Sequence, residues 1–158
     1  MKLISLLEKL EYTCLQGSTD QEVKNVIYDS RKVEEGSLFI CIRGAVVDGH
    51  KFVPDVVAKG AKVLIVEEAV EAPEDVTVIL VKDTRYAMAF ISAAYFGYPA
   101  EKLKTIGITG TKGKTTTTYM VKSILENAGY KVGLIGTIEA IIGDKVIPAK
   151  NTTPEDRK

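Results

Sequence analysis

The alternation of apolar and polar positions divides the first part of the chain into strand-like and helix-like segments. Two runs rich in β-branched and aromatic residues, Lys24–Ser30 and Ser37–Gly44, have the composition of strands. Two further apolar runs, Ala61–Glu68 and Thr77–Asp83, have the continuous hydrophobicity of strands that are covered on both faces. The pattern therefore predicts an alternating α/β domain.

Helix-like segments lie between and around these strands. A short amphipathic helix is expected within Met1–Gly17, and a second helix is expected from His50 to a glycine stop at Gly60. The segment Thr84–Pro99 has the pattern of a third helix, which its own glycine and proline close. In the second helix four apolar side chains share one face: Phe52, Val53, Val56 and Val57.

The pattern restarts after Ala100, where charged residues precede a new strand-like run, Lys104–Thr109. A helix that ends at Gly129 and another strand, Lys131–Thr137, are predicted to follow. We place a domain boundary here, so that residues 1–102 form one domain and residues 103–158 begin a second. Because two strands and one helix cannot bury both faces of a parallel sheet, this β-α-β portion is expected to be incomplete. The apolar face of its helix is formed by Met120, Val121, Ile124, Leu125 and Ala128.

Composition predicts a soluble globular protein without a polyanionic partner. The chain has 158 residues, of which 46% are hydrophobic, and this is enough for a core. Lysine plus arginine number 21, and so do aspartate plus glutamate, so no net field attracts nucleic acid or an anionic membrane. We therefore expect no nucleic-acid partner and no membrane insertion.

The N-terminus and the cysteines both favour the cytoplasm. Glu8, Lys9 and Glu11 interrupt the apolar positions before a secretory core can form, and no later segment is long enough to cross a bilayer. Cys14 and Cys41 have neither CxxC spacing nor a neighbouring histidine. Reduced thiols in a cytoplasmic protein are therefore expected rather than a metal site.

A glycine-rich stretch, Gly107–Thr118, lies between the predicted strand and helix of the second domain. It departs from the strict phosphate-loop pattern, because Ile108 stands where that pattern has its first glycine. Its second half keeps the required chemistry: glycines that permit a left-handed backbone, a helix N-terminus that attracts anions, and a lysine followed by a hydroxyl. The residues predicted to bind nucleotide are Gly110, Thr111, Lys112, Gly113, Lys114, Thr115 and Thr116.

Two of these residues have the clearest roles. Lys114 is placed to reach the β- and γ-phosphate oxygens of a nucleotide, and the Thr115 hydroxyl is placed to ligate Mg²⁺. The alternative is a tight turn in which Thr115 or Thr116 only caps the helix. A cap needs one threonine, whereas two glycines and a lysine are present, so nucleotide binding is favoured.

Two other polar residues have competing interpretations. Lys112 either contacts phosphate or is a solvated lysine at the apex of the loop. His50 is the one histidine of the chain and invites a catalytic role, but its place in Asp48-Gly49-His50 just before a helix favours a turn and cap with local hydrogen bonds.

The loop with its four threonines resembles the ATP-dependent Mur ligase family, whose motif also lacks the first glycine. Three further stretches extend the resemblance: Asp29–Phe52, Tyr119–Thr137 and Ile142–Glu155. The family has an N-terminal UDP-binding domain, a central ATPase domain and a C-terminal domain. The resemblance implies that this chain holds the first domain and the start of the second, and that alone it is catalytically inactive.

The resemblance also implies a reaction and a set of ligands. ATP phosphorylates the free carboxylate of UDP-N-acetylmuramoyl-L-alanyl-D-glutamate, and the amine of a diamino acid attacks the acyl phosphate. Lys114 and Mg²⁺ at Thr115 would stabilise the charge of phosphoryl transfer. The full-length enzyme is expected to be monomeric and cytoplasmic, and to act in cell-wall peptidoglycan synthesis.

Residues for the UDP-linked substrate are carried over from the family by position. The uridine end is expected to lie against Tyr28 and Ser30 and against the loop of Ala45, Val46 and Val47, which offers only backbone groups and apolar contact. The muramoyl-peptide part is expected to contact Asn151, Thr152 and Thr153. Taken alone, Ser30 with Arg31 also fits a strand-end turn, and the Asn-Thr-Thr stretch fits a polar loop or a glycosylation sequon.

Two alternatives to this ligase remain open at the level of sequence. A folylpolyglutamate-type ligase shares the loop but does not need a UDP-binding domain. A non-enzymatic module that binds a nucleotide or a UDP-sugar would use the same loop without catalysis.

Overall fold

The computed structural model describes residues 1–44 and 47–149. The chain divides into two compact units, Met1–Lys104 and Thr105–Lys158, which we call the first and second units. Among the described residues, no helix has the length and apolar character that a membrane span requires.

A five-stranded sheet forms the centre of the first unit. Four strands run parallel, and the first strand is antiparallel to its neighbour at one edge. The strands are β1 (Thr13–Gln16), β2 (Asn25–Ile27), β3 (Ser37–Ile40), β4 (Val63–Val66) and β5 (Thr77–Leu80), in the order β1-β5-β4-β3-β2. The helices are α1 (Leu3–Leu7), α2 (Val53–Ala58) and α3 (Thr84–Tyr95).

The sheet is covered on both faces, in keeping with the nearly continuous apolar sequence of β3 and β4, in which Ser37 is the one polar residue. Along β3, Leu38 and Ile40 face the core under α1 and α3, whereas Phe39 faces the core under α2. All of β3 and β4 is buried. This confirms the predicted strands and the α/β class, and it makes the first unit a three-layer structure.

Helix ends in the first unit follow the predicted signals. Gly60 has a φ of +97° just after α2, and Gly97 has a φ of +69° just after α3. Asp83 caps α3, since its side chain accepts a hydrogen bond from the backbone N–H of Tyr86 at 2.9 Å. Phe52 departs from the predicted apolar face, because it lies in a 3₁₀ turn before α2 and is exposed.

The N-terminal segment is a short helix followed by a strand that the sequence pattern did not predict. Helix α1 ends at Leu7, and β1 pairs with β5 through Thr13 and Leu80. Strand β1 lies at the edge of the sheet and its residues are mostly exposed, so it has no apolar alternation. The pairing is a long-range interaction, which explains why the local pattern did not indicate it.

In its described residues, 105–149, the second unit has one helix, α4 (Lys114–Asn127), and a three-stranded antiparallel sheet. Its strands are β6 (Gly133–Ile135), β7 (Glu139–Ile142) and β8 (Lys145–Pro148). Strand β6 and the helix ending before Gly129 were predicted, whereas the β7–β8 hairpin was not. Within the described part of this unit, Leu134 is the one fully buried apolar side chain.

Of the predicted β-α-β portion of the second unit, the helix and the second strand are present, but the first strand is not formed. The run Lys104–Thr109 is not in a strand, and β6 pairs with β7 in an antiparallel sense. A strand exists only through hydrogen bonds to a neighbour, and the described residues provide none for this run. The apolar side chains of the run, such as Ile106, are accordingly exposed.

Candidate functional site

The glycine-rich loop leads directly into α4. Gly113 has φ +78° and ψ −4°, a left-handed conformation, and Gly110 has a φ of +151°. A Cβ on Gly113 would meet nothing within 4 Å, so backbone conformation rather than space accounts for this glycine. No side chain among the described residues caps the helix, which leaves its first N–H groups directed toward the loop. This arrangement is suited to an anion.

Lys114 folds back across the loop. Its Nζ donates a hydrogen bond to the carbonyl oxygen of Gly110 at 2.6 Å. The Thr118 hydroxyl donates to the carbonyl of Lys114 at 2.6 Å and is therefore engaged with the backbone of its own helix. The side chains of Thr111, Lys112 and Thr116 are exposed, and Thr115 is half-buried.

A cavity of about 360 Å³ opens beside the start of α4. Lys114 and Thr115 line it on the helix side, and Gly136, Thr137 and Glu139 line it on the sheet side. It is large enough for part of a nucleotide.

Tyr119 and Glu139 line the same cavity and were not predicted from sequence. The Tyr119 hydroxyl donates a hydrogen bond to Glu139 Oε1, and this bond to a carboxylate raises the pKa of the tyrosine. The spacing of Tyr119 four residues after Thr115 places both on one helical face, which was the available signal. Glu139 has no comparable local signal.

The first unit presents a second cluster of polar groups where its parallel strands end, which we call the carboxyl edge. Tyr28 follows β2 and is half-buried against the core under α1 and α3. Ser30 begins a 3₁₀ turn, and its carbonyl oxygen accepts a hydrogen bond from Lys59 Nζ at 3.0 Å. Ligands of parallel α/β sheets commonly bind at such an edge.

The turn at Ser30 is held by an ion pair between its neighbours. Arg31 donates two side-chain hydrogen bonds to Asp29, each 2.8 Å long. This pairing is the main cause that lowers the pKa of Asp29 to about 2. The strand-end turn read from the sequence is therefore present, and it presents Ser30 at the end of β2.

A backbone hydrogen bond joins the two described residues, Gly44 and Val47, that flank positions 45 and 46 after β3. Gly44 N–H donates to the carbonyl oxygen of Val47 at 2.9 Å, and Val47 itself is 50% exposed. Ala45 and Val46 lie outside the described residues, as do Asn151, Thr152 and Thr153.

The ring of His50 is hydrogen-bonded locally to Asp48, as the turn-and-cap interpretation predicted, and its second nitrogen has a more distant partner in Glu67. Its backbone N–H donates to Asp48 Oδ1 at 3.0 Å, and its Nδ1 lies 2.6 Å from the same oxygen. Because Nε2 accepts the backbone N–H of Glu67 at 3.0 Å, the ring proton lies on Nδ1 and is donated to Asp48. These bonds, the backbone one first, lower the pKa of Asp48 to about 2.

Arg43 completes this part of the carboxyl edge. Its Nε lies 3.2 Å from Asp48 Oδ2, and its Nη2 lies 3.0 Å from Glu68 Oε2. Asp48, His50 and Glu68 have the residue types of a metal site, and their ligand atoms lie within 4.8 Å of one another. The guanidinium already neutralises both carboxylates, so the geometry is that of an ion-pair network rather than a cation site.

Family models match both parts of the chain. Residues 22–96 match the model described as the Mur ligase family catalytic domain, and residues 108–158 match that of the Mur ligase middle domain.

Two curated relatives show high similarity over nearly the whole chain. Both are named UDP-N-acetylmuramoyl-L-alanyl-D-glutamate--2,6-diaminopimelate ligase. The protein from Clostridium perfringens is 54% identical over 98% of the chain, and the one from Clostridium tetani is 49% identical over 98%. The chain spans about a third of the length of these relatives, 32% and 33% respectively.

Solved structures share the fold. A UDP-N-acetylmuramoyl-L-alanyl-D-glutamate--2,6-diaminopimelate ligase has a TM-score of 0.72 at 23% identity, and the alignment covers 96% of this chain and 30% of that one. The MurF ligase from Thermotoga maritima, solved in complex with ADP, has a TM-score of 0.51 at 26% identity, with 73% and 25% covered.

Proposed function

The chain belongs to the Mur ligase family, and on this premise we propose that it is part of a UDP-N-acetylmuramoyl-tripeptide synthetase. Such an enzyme is an ATP-dependent ligase that joins a diamino acid to UDP-N-acetylmuramoyl-L-alanyl-D-glutamate. The observation that carries the proposal is 54% identity, over 98% of this chain, to a protein named for that reaction. The names of the relatives make 2,6-diaminopimelate the diamino acid that we propose.

The first unit, in this proposal, binds the UDP end of the substrate at its carboxyl edge. Tyr28 and Ser30 follow β2, and Val47 lies in the loop after β3 together with Ala45 and Val46. Because β2 and β3 are neighbouring parallel strands, Tyr28, Ser30 and Val47 all follow strands that end at the same edge of the sheet, which supports a shared ligand. The muramoyl-peptide part is assigned to Asn151, Thr152 and Thr153.

The glycine-rich loop, in this proposal, binds ATP. The open N–H groups at the start of α4 suit phosphate oxygens, and Gly110, Thr111, Lys112, Gly113 and Thr116 supply the surrounding backbone and side chains. The ADP complex of a relative with the same fold supports a nucleotide in this fold. In binding, Lys114 would exchange the Gly110 carbonyl for phosphate oxygens.

Lys114 and Thr115 are assigned the catalytic roles. When bound, ATP with Mg²⁺ supplies the phosphoryl group that turns the substrate carboxylate into an acylating agent. Lys114 would hold the negative charge that develops during transfer. The Thr115 hydroxyl is a hard oxygen donor beside the phosphate position, which is the type of ligand that Mg²⁺ takes.

The setting of the proposed enzyme follows from its reaction. We propose a cytoplasmic enzyme of peptidoglycan synthesis that is monomeric at full length. Its partners are then small molecules, and the balance of 21 basic and 21 acidic residues gives no reason to add nucleic acid.

Calorimetric titration tests the proposal on this chain. UDP-N-acetylmuramoyl-L-alanyl-D-glutamate is expected to bind saturably, UDP alone is expected to compete with it, and Ser30→Ala is expected to weaken both. Lys114→Ala is the matched control, which should keep the affinity for the UDP ligand and lose that for Mg·ATP. A folded chain that binds neither the UDP ligand nor UDP would refute the substrate assignment. Competition by UDP also distinguishes this ligase from a folylpolyglutamate-type enzyme.

A further inference from the structure

A carboxylate lies in the wall of the cavity beside the glycine-rich loop. Glu139, the first residue of β7, lines this cavity on the sheet side, whereas Lys114 and Thr115 line it on the helix side. The Glu139 side chain is half-buried, and its Oε1 accepts a hydrogen bond from the Tyr119 hydroxyl. The carboxylate is therefore held at the cavity wall by a residue of α4.

The position of Tyr119 on α4 brings this carboxylate to the loop end of the helix. Tyr119 lies about one turn after Thr115, so the two side chains share one face of α4 and line the same cavity. Long side chains on a helix point back toward its N-terminus, and the N-terminus of α4 is the end that carries the glycine-rich loop. Glu139 is thus bonded to a side chain that extends toward the predicted phosphate position.

The charge of Glu139 is not neutralised within the cavity. Among the residues that the structure describes, no lysine or arginine pairs with Glu139, and Tyr119 supplies its one side-chain hydrogen bond. Lys114, which lines the same cavity, is bonded to the Gly110 carbonyl at 2.6 Å instead. The cavity therefore combines an uncapped helix N-terminus, which attracts anions, with a carboxylate, which repels them. A divalent cation bound to the phosphates would satisfy both groups.

We propose that Glu139, oriented by Tyr119, is a specificity-determining residue that makes this cavity select the magnesium complex of ATP over free ATP. This inference rests on the proposed function, in which the glycine-rich loop binds ATP. Free ATP brings its full negative charge against the carboxylate, whereas Mg²⁺ on the phosphates offsets that charge. The Thr115 hydroxyl and the Glu139 carboxylate are both hard oxygen donors in the wall of one cavity, which is the type of donor that Mg²⁺ prefers.

Calorimetric titration of the 158-residue chain with ATP, once in excess Mg²⁺ and once in EDTA, gives two affinities whose ratio measures this selection. The unaltered chain is expected to bind Mg·ATP more tightly than free ATP. Glu139→Gln removes the charge and keeps a side-chain oxygen that accepts the Tyr119 hydroxyl. We expect this variant to bind free ATP more tightly and Mg·ATP more weakly, so that the ratio of affinities falls about tenfold.

Three further variants separate the charge of Glu139 from its orientation and from the total charge. Glu139→Asp keeps the charge and is expected to keep most of the ratio. Tyr119→Phe removes the hydrogen bond that orients the carboxylate, so the ratio is expected to fall, but by less than in Glu139→Gln. Glu126→Gln is the matched control, because it removes one carboxylate from α4 that pairs with Lys122 at 2.6 Å, and its ratio is expected to stay unchanged. Circular dichroism checks that each variant is folded.

The outcomes separate the inference from the function on which it rests. Equal affinities of the unaltered chain for Mg·ATP and free ATP would overturn the selection while the proposed nucleotide site stands. An unchanged ratio in Glu139→Gln, or an equal fall in Glu126→Gln, would also overturn the role of Glu139. If Glu139→Gln does not fold, Tyr119→Phe decides the question, and an unchanged ratio in that variant overturns the inference. A folded, unaltered chain that binds neither form of ATP would overturn the proposed nucleotide site and this inference with it.

Discussion

Glu67 Oε1 accepts two hydrogen bonds from Thr84, one from the backbone N–H at 2.8 Å and one from the hydroxyl at 2.7 Å. A single carboxylate oxygen thus joins the end of β4 to the start of α3. Thr84 is fully buried, so neither group can turn to water if its partner is lost.

Replacement of Thr84 by valine removes the hydroxyl and keeps the shape of the side chain. We expect the free energy of unfolding to fall by about 1–3 kcal/mol, because the Glu67 carboxylate loses a donor in a partly buried position. Denaturant unfolding measures this change. Thr13→Val on the exposed edge strand is the control, and an equal loss there would contradict the assigned role.

Gly49→Ala is expected to destabilise the first unit for a steric reason. A Cβ on Gly49 would lie 2.7 Å from Ile42 N and 2.8 Å from Ile42 O. This backbone directly follows β3 and is held by the bond from Cys41 N–H to the Ile65 carbonyl, so it cannot move away freely. We expect a loss of about 1–3 kcal/mol, typical of overpacking. Gly107→Ala is the matched control, because a Cβ there meets nothing within 4 Å. Equal free energies of unfolding for the two variants would contradict this prediction, because they would show that the backbone moves enough to relieve the clash.

Asp48 gives part of the stability of the first unit a defined pH dependence. Its pKa is lowered from 3.8 to about 2, so its contribution is complete above the unfolded value and is lost as pH falls through the folded one. Asp48→Asn should therefore be less stable at neutral pH and lose less stability between pH 5 and about 2. Denaturant unfolding at several pH values measures, for each protein, the slope of the free energy of unfolding against pH. Parallel slopes for the two proteins would contradict this assignment.

Lys114→Met tests the loop of the second unit without changing side-chain length much. We expect about tenfold weaker binding of Mg·ATP or more, since a charge-assisted bond to phosphate is lost. Lys122→Met on the same helix is the control, because Lys122 pairs with Glu126 at 2.6 Å and not with the loop. An equal effect of both substitutions would point to general charge rather than to a specific contact.

The two cysteines should differ sharply in reactivity. Both are free thiols, Cys14 is exposed, and burial raises the pKa of Cys41 to about 12. We expect a water-soluble disulfide reagent to modify Cys14 rapidly and Cys41 only when the first unit opens. Rapid modification of two thiols per chain in the native state would contradict the buried position of Cys41.

The sequence predicted those elements whose burial leaves a local pattern. Strands β3, β4 and β5 were identifiable because both faces of the sheet are covered, and α3 because the glycine and proline that close it are local signals. Strand β1 escaped prediction because it is exposed and exists only through its pairing with β5. The β7–β8 hairpin, which was not predicted, does have a local signal in the Gly143-Asp144 turn between apolar residues.

The residues of the candidate site also differ in whether a local sequence pattern identifies them. The glycine-rich loop is a contiguous motif, so its residues could be proposed as a nucleotide site from the sequence alone. Arg43, Glu67, Glu68 and Thr84 come together from three strand ends, and each one in isolation has the properties of an ordinary surface or cap residue. Such contacts depend on strand order, which is a property of the assembled sheet.

The strand order β1-β5-β4-β3-β2 also bears on how the first unit folds. From β2 to β5 each strand pairs with the next one along the chain, so the sheet can grow as the polypeptide leaves the ribosome. Strand β1 is made first but pairs with β5, across the span from Thr13 to Leu80. Within the sheet, its docking is the strand pairing of highest sequence separation and the most expensive in loop-closure entropy. We therefore expect the N-terminal strand to be the last to join the sheet. Until it does, the backbone N–H and C=O groups along the edge of β5 are unpaired and can pair with another nascent chain.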